Sequence, residues 1–175
     1  LMLQRILQIN LILIFFAIFS VAEIINDIKV TGNKRLSKES IIVFGEIDFK
    51  SDYNQNDLNE ILLKIYQTNF FKDVKLKVKD SILEIDVIEN PIIEDVVING
   101  IKSNNLQETL LEKINLKSRK SYVETLFLSD LNLIKNIIKS AGYYFADINT
   151  KSILNESQNS IRLIYDIDLG DRAKI

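Results

Sequence analysis

Val74-Lys75-Leu76-Lys77-Val78-Lys79-Asp80-Ser81-Ile82-Leu83-Glu84-Ile85-Asp86-Val87 alternates apolar and charged residues on both sides of Asp80-Ser81. Alternation with period two marks a strand with one buried and one wet face. A two-residue break between two such runs reads as a hairpin turn. With Asp80-Ser81 as that turn, Val74, Leu76 and Val78 lie opposite Val87, Ile85 and Leu83, and one face is apolar throughout. The other face sets Lys77 against Glu84 and Lys75 against Asp86. Both faces agree on one register, and a slip of one residue would invert both. Opposed charges of this kind contribute roughly 0.2–1 kcal/mol each, which pins the pairing more than it holds the fold.

Before the hairpin, Leu58, Ile61, Leu62 and Ile65 fall at i, i+3, i+4 and i+7, the spacing of one buried helical face. Asn56 is the expected cap of this helix, and Asn69, a residue type that tolerates the left-handed conformation, its stop. A polar loop, residues 46–54, precedes it. Before that loop a short helix runs from its cap Ser37 to Phe44 and buries Ile41, Ile42 and Phe44. The unit opens with a strand at residues 24–30, Ile24, Ile28 and Val30 sharing a face, closed by a turn at Gly32-Asn33. Glu89-Asn90-Pro91, with the only proline in the chain, ends it.

The pattern then restarts. Residues 92–98 form a strand ended by Gly100, 68 residues after Gly32. Asn105 with Glu108 resembles a capping box opening a helix that buries Leu106, Leu110, Leu111 and Ile114. Ser129 is the expected cap of the next helix, with Leu131, Ile134 and Ile138 inward and Gly142 as its stop, 73 residues after Asn69. Asp147-Ile148 answers Asp73-Val74, and Ser160-Ile161 answers Ser81-Ile82 at an offset of 79. Five anchors kept in order make a tandem repeat. The expected fold class is α+β: two β-α-α-β-β units, each a three-stranded mixed sheet with two helices on one face.

Composition narrows the chemistry. The 175 residues include no cysteine and no histidine, so thiolate nucleophiles, histidine bases and the usual zinc, haem and iron–sulfur ligand sets are excluded. With 22 Lys+Arg against 24 Asp+Glu the formal charge is −2, which argues against nucleic acid as a partner. No cofactor and no catalytic or metal site is expected. Residues 1–22 read as a signal peptide: Arg5 precedes an apolar run of nine residues, 11–19, too short to span a bilayer, and Ser20-Val21-Ala22 supplies small residues for cleavage after Ala22. The rest of the chain is expected to leave the cytoplasm and, without disulfides, to rely on core packing.

Three groups of residues resemble the POTRA domains of Omp85-family outer-membrane assembly factors. They are the opening 24–35 (Ile-Ile-Asn-Asp-Ile-Lys-Val-Thr-Gly-Asn-Lys-Arg), Thr68-Asn69-Phe70-Phe71-Lys72-Asp73-Val74 joining helix to strand, and Val87-Ile88-Glu89-Asn90-Pro91. The second copy repeats them as Val96-Val97-Ile98-Asn99-Gly100, Ala141-Gly142-Tyr143-Tyr144-Phe145-Ala146-Asp147-Ile148 and Asp166-Ile167-Asp168-Leu169-Gly170. Where the family usually has Thr-Gly this chain has Thr68-Asn69, which keeps the helix stop. The resemblance implies one POTRA domain at residues 23–90, a second at 91–170, and the start of a truncated third at 171–175. It implies an N-terminal fragment whose full-length protein reaches the outer membrane through a C-terminal β-barrel.

The function it implies is a non-enzymatic periplasmic scaffold of a machine that inserts outer-membrane β-barrel proteins. Its partners would be unfolded outer-membrane proteins, periplasmic chaperones and outer-membrane lipoproteins. The alternative is the POTRA region of a two-partner secretion or autotransporter-assembly transporter of the same superfamily. An exported enzyme is the outside alternative, since Glu84 with Asp86, and Asp166 with Asp168, place paired carboxylates on strand faces. In the register above those acids are the wet side of a sheet.

Partner binding is expected at edge strands, whose unpaired backbone groups accept an extended segment as an extra strand. The candidate residues are Val74, Lys75, Leu76, Lys77 and Val78 in the first unit, and Ile148, Asn149, Thr150, Lys151, Ser152 and Ile153 in the second. Lysines guard the first edge against uncontrolled pairing, which leaves the second as the freer acceptor. The aromatic pairs Phe70-Phe71 and Tyr143-Tyr144 are expected in the cores, a binding surface being the other reading.

Overall fold

The computed structural model describes residues 24–49 and 51–173. The signal peptide and its cleavage after Ala22 lie outside the described residues.

The chain forms two units of the same order. The first is β1 (Asp27–Thr31), α1 (Lys38–Gly45), α2 (Gln55–Gln67), β2 (Phe71–Lys79) and β3 (Ile82–Glu89). The second is β4 (Ile92–Asn99), α3 (Asn104–Lys113), α4 (Glu124–Ser140), β5 (Asp147–Asn155) and β6 (Ser160–Asp168). The sheets run β1-β3-β2 and β4-β6-β5. In each, the first strand is parallel to the central one and the other antiparallel, so both sheets are mixed as expected. The hairpin register is the one read from the sequence, with Val74 opposite Val87, Lys75 opposite Asp86 and Lys77 opposite Glu84. Asp80 (φ 51°) and Ser81 (φ 61°) both take positive φ, the type I′ turn that matches the twist of a two-residue hairpin.

Each helix pair covers one face of its sheet. Ile41, Ile61 and Ile65 meet Ile28, Val74, Leu83, Ile85 and Val87 in the first core. Ile134 and Ile138 meet Ile93, Leu163, Tyr165 and Ile167 in the second. One backbone constraint is duplicated. Gly32 (φ +81°) and Gly100 (φ +85°) stand where a Cβ would come within 2.0 Å of the Val87 carbonyl oxygen and 1.8 Å of that of Ile167. Only glycine lets the end of the first strand approach the central strand so closely.

Several local readings are corrected. β1 starts at Asp27, not at residue 24. Ile24 is 52% exposed and Ile25 is buried in its place, because the chain at Ile24 pairs with Asp52 outside the sheet. The α2 cap is Asn54, whose side chain accepts from the N–H groups of Asn56 and Asp57 while Asp57 accepts from Asn54 N, a full capping box. Asn56 already lies in the first turn. Asn69 is left-handed as expected, φ 61°. α3 is capped by Ser103, not Asn105, and Leu111 on it is exposed. α4 begins at Glu124, so Ser129 is an interior helical residue rather than a cap. The helical phase extends back through Leu126 and Phe127, which pack on the second core and outweigh the signal from an exposed serine.

Candidate strand-addition site

A three-stranded sheet has two edges, and the two are not equivalent here. The edge at β1 is five residues long, and the chain entering it is held by the loop between α1 and α2: Ile25 N–H donates to Ser51 O at 3.2 Å, beside the Ile24–Asp52 bridge. The entry to β4 is held the same way. Ile93 N–H donates to Lys120 O and Arg119 N–H to Ile93 O, both at 2.8 Å, and Tyr122 N–H donates to Pro91 O at 2.8 Å. The opposite edges, β2 and β5, are each nine residues long. Among the described residues no loop backbone pairs along them. The candidate residues Val74 to Val78 and Ile148 to Ile153 therefore sit on the longer and more open edge of each sheet.

The hairpin turn decides which backbone groups of β2 face outward. A two-residue turn closes on the Lys79–Ile82 pair. Hydrogen-bonded pairs alternate along an antiparallel ladder, so Lys79, Lys77 and Lys75 spend their backbone groups on β3. Val74, Leu76 and Val78 direct theirs away from it. The Val74 N–H bears this out, donating to the Tyr66 hydroxyl of α2 at 3.0 Å; that hydroxyl in turn donates to Asp73 Oδ1 at 3.1 Å. Tyr66 closes the upper end, and the edge is open at Leu76 and Val78.

Behind the β2 edge, Leu58 and Leu62 of α2 with Leu76 and Val78 line a groove of ≈ 370 Å³. The second unit differs. Along β5, only Ile148 is partly covered, and Thr150, Ser152, Ile153 and Leu154 are exposed. A smaller hollow of ≈ 260 Å³, with Ile138, Tyr143, Tyr144 and Ile148 on its wall, lies at the start of that strand.

On the sheet faces Asp86 and Asp166 each meet a side chain of a neighbouring strand. Asp86 accepts from the Thr31 hydroxyl, and Lys75 Nζ lies 3.7 Å from Asp73 Oδ2. In the second sheet Asp166 takes Asn99 Nδ2 and Lys151 Nζ, each at 2.8 Å, and those two hydrogen bonds hold its pKa below the ordinary carboxylate value. Thr31–Asp86 and Asn99–Asp166 are the same contact in the two units, one residue before the constrained glycine. The aromatic expectation divides: Phe71 is buried, Phe70 packs against the first core and Phe44, and Tyr143 packs against the second core, whereas Tyr144 is 60% exposed; Phe145 beside it is 85% exposed.

Sequence reading missed two buried carboxylates. Glu89 accepts from the N–H groups of Lys34 (2.7 Å), Arg35 (2.9 Å) and Leu36 (3.1 Å), and its Oε2 lies 3.1 Å from Arg35 Nε. Burial pushes its pKa up, but those three bonds and the guanidinium outweigh it and hold the carboxyl below its ordinary value. Asp130, fully buried on α4, accepts from Asn115 N (2.7 Å), Asn115 Nδ2 (2.8 Å) and Leu116 N (2.8 Å). Each carboxylate ties a loop to its core.

The described residues thus form two tandem units of one β-α-α-β-β order, each with a mixed three-stranded sheet under two helices. Residues 91–170 match the POTRA family, described as surface antigen variable number repeat. The chain is 25% identical over 152 residues to the outer membrane protein assembly factor BamA of Neorickettsia risticii, across 87% of this chain and 19% of that protein. It thus spans about a fifth of the relative's length, the 19% just given. Among solved structures it is similar in fold to the N-terminal domain of Omp85 from Thermosynechococcus elongatus, with a TM-score of 0.54 and 16% identity over 81% of this chain and 61% of that one. POTRA1-2 of Omp85 from Anabaena gives a TM-score of 0.49 at 16% identity, covering 86% of this chain and 97% of that one.

Proposed function

We propose that this chain is the periplasmic scaffold region of a machine that assembles outer-membrane β-barrel proteins, with POTRA domains at residues 23–90 and 91–170 and a signal peptide removed after Ala22. Unfolded outer-membrane proteins are held as added strands on β2 and β5, and chaperones and lipoproteins of the complex dock on the same tandem. The observation that carries the reading is the contrast between edges: loops close the entry to β1 and β4, while β2 and β5 keep nine-residue edges. Backbone pairing reads few side chains, which suits a module that handles many clients. The similarity to an assembly factor supports the same reading.

These 175 residues contain no cysteine, so each introduced thiol is unique within them, and any cysteine elsewhere in the full-length protein is first replaced by serine. Single cysteines at Lys77 and Ser152, on the open edges, and at Lys29 and Val97, on the first strands whose entries the loops hold, are placed in the full-length protein and offered an unfolded outer-membrane protein carrying one cysteine. Disulfide capture is expected at K77C and S152C and not at K29C or V97C. Equal capture at all four positions, or none at the open edges, would overturn the reading.

A further inference from the structure

The two open edges carry different side-chain codes. We propose that the first edge selects extended segments in which apolar residues alternate with acidic ones, an inference that rests on the strand-addition reading above.

The register supplies the argument. On the wet face of the first sheet the cross-strand rows read Lys29–Glu84–Lys77 and Thr31–Asp86–Lys75, from β1 through β3 to β2. The first row alternates in sign, and both end at the open edge in an exposed lysine. Opposite charges across strands stabilise a pair and like charges destabilise it, so the residue that continues each row is an acid. The backbone phase strengthens this. An incoming antiparallel strand bonds to Leu76 and Val78, so its residues opposite Lys75 and Lys77 occupy the non-hydrogen-bonded positions, where Cα atoms stand about 4.5 Å apart and side chains are closest. The alternate side chains of that strand point to the other face, into the groove lined by Leu58, Leu62, Leu76 and Val78. Asp73, 3.7 Å from Lys75, sets the upper limit of the acid-accepting stretch.

The second edge lacks this code. Its rows end Asn99–Asp166–Asn149, Val97–Ile164–Lys151 and Asp95–Arg162–Ile153. Lys151 is held by Asp166 at 2.8 Å, a hydrogen-bonded pair closer than Lys75 and Asp73 at 3.7 Å, and Lys77 has no ion-pair partner among the described residues. A neutral strand fits β5 as well as an acidic one. Lysines that guard β2 against indiscriminate pairing thus also choose what it accepts.

The test uses the intact chain, isotope-labelled, with amide shifts of Leu76 and Val78 reporting β2 and those of Thr150 and Ser152 reporting β5. Four eight-residue peptides share their apolar residues: one alternates them with Glu, one with Ser, one with Lys, and one has the Glu peptide's composition with its acids in a block. The alternating Glu peptide is expected to bind β2 about tenfold more tightly than the Ser peptide, roughly threefold per facing pair. The Lys and blocked peptides should gain nothing over Ser. The double variant Lys75→Glu/Lys77→Glu is expected to reverse the order at β2 and leave β5 unchanged. Equal binding of all four peptides at β2, abolished by N-methylation of alternate peptide amides, would overturn the charge code and leave strand addition standing. Equal affinity of the blocked and alternating acid peptides would reduce the preference to bulk charge and likewise overturn it. Binding that survives N-methylation, or no binding at either edge, would overturn strand addition and this inference with it.

Discussion

Replacing Gly100 by alanine puts a methyl group where the second sheet has no room. Gly100 sits at φ +85°, and the added Cβ would lie 1.8 Å from the Ile167 carbonyl oxygen, well inside the 3.0 Å that such contacts keep. Two costs follow. A left-handed conformation for an L-residue costs about 1–2 kcal/mol. The end of β4 must also retreat from β6, which disrupts the Asn99–Asp166 pairing and its 2.8 Å side-chain bond, a further loss of about 1–3 kcal/mol. The expected total is about 2–5 kcal/mol, from the middle to the far end of what single substitutions cost. Gly170→Ala is the control in the same unit. It has positive φ (+58°), but its Cβ meets only the Phe145 carbonyl at 3.7 Å, so it carries the conformational cost alone, about 1–2 kcal/mol. Urea unfolding followed by circular dichroism, at equal slopes, compares the two. If Gly100→Ala falls within about 1 kcal/mol of Gly170→Ala, the close approach of β4 to β6 does not restrict the fold and the argument fails.

Other perturbations separate the remaining claims. Because the Glu89 carboxyl titrates below its ordinary value of 4.5, the stability it confers is full above that value and is lost as the pH falls through the lowered one. Glu89→Gln should flatten the acid limb of a urea-midpoint curve taken from about pH 6 to pH 2, and an unchanged limb would count against the Lys34–Leu36 contacts. Asp130→Ala, which strands the N–H groups of Asn115 and Leu116, should cost about 2–4 kcal/mol in the same melt. Tyr165→Phe deletes a buried hydroxyl that has no hydrogen-bond partner among the described residues, so the urea midpoint should be unchanged or correspond to up to about 1 kcal/mol more stability. Phe145→Ser should move stability by less than about 0.5 kcal/mol, whereas Phe71→Ala should cost about 3–5 kcal/mol.

The hairpin was legible because two independent faces specified one register, and the repeat was legible because turn residues recur in order. Helix starts were less so. Asn54 and Asn56 are both competent caps two residues apart, and only the reach of Asp57 back to Asn54 N distinguishes them. Ser129 had a cap's chemistry but no cap's position, since the apolar residues before it continue the helix. Glu89 and Asp130 were illegible for a different reason. A buried carboxylate differs from a solvated one by the N–H groups aimed at it, and those of Lys34 to Leu36 come from more than fifty residues away. The exposure of Tyr144 beside the burial of Phe71 is of the same kind, set by packing rather than by residue type.

The candidate site was half legible, and the division has a physical origin. That the second strand of each unit lies at an edge follows from the chain order. That it is the open edge does not, because this depends on where the loop between the helices lands. In both units that loop pairs with the entry of the first strand, at Ser51 in one and at Arg119 and Lys120 in the other. Backbone contacts carry this closure, so side chains along the loops can change without reopening the edge. The same separation holds for the side chains of β2. Inward residues of β2, such as Val74, serve the core, whereas Lys75 and Lys77 touch neither the core nor the β3 apolar face. Side chains along one edge can therefore differ while the folding of both units is left intact, and the rows do differ: those crossing the wet face of the first sheet end at β2 in lysine, whereas those ending at β5 are mixed.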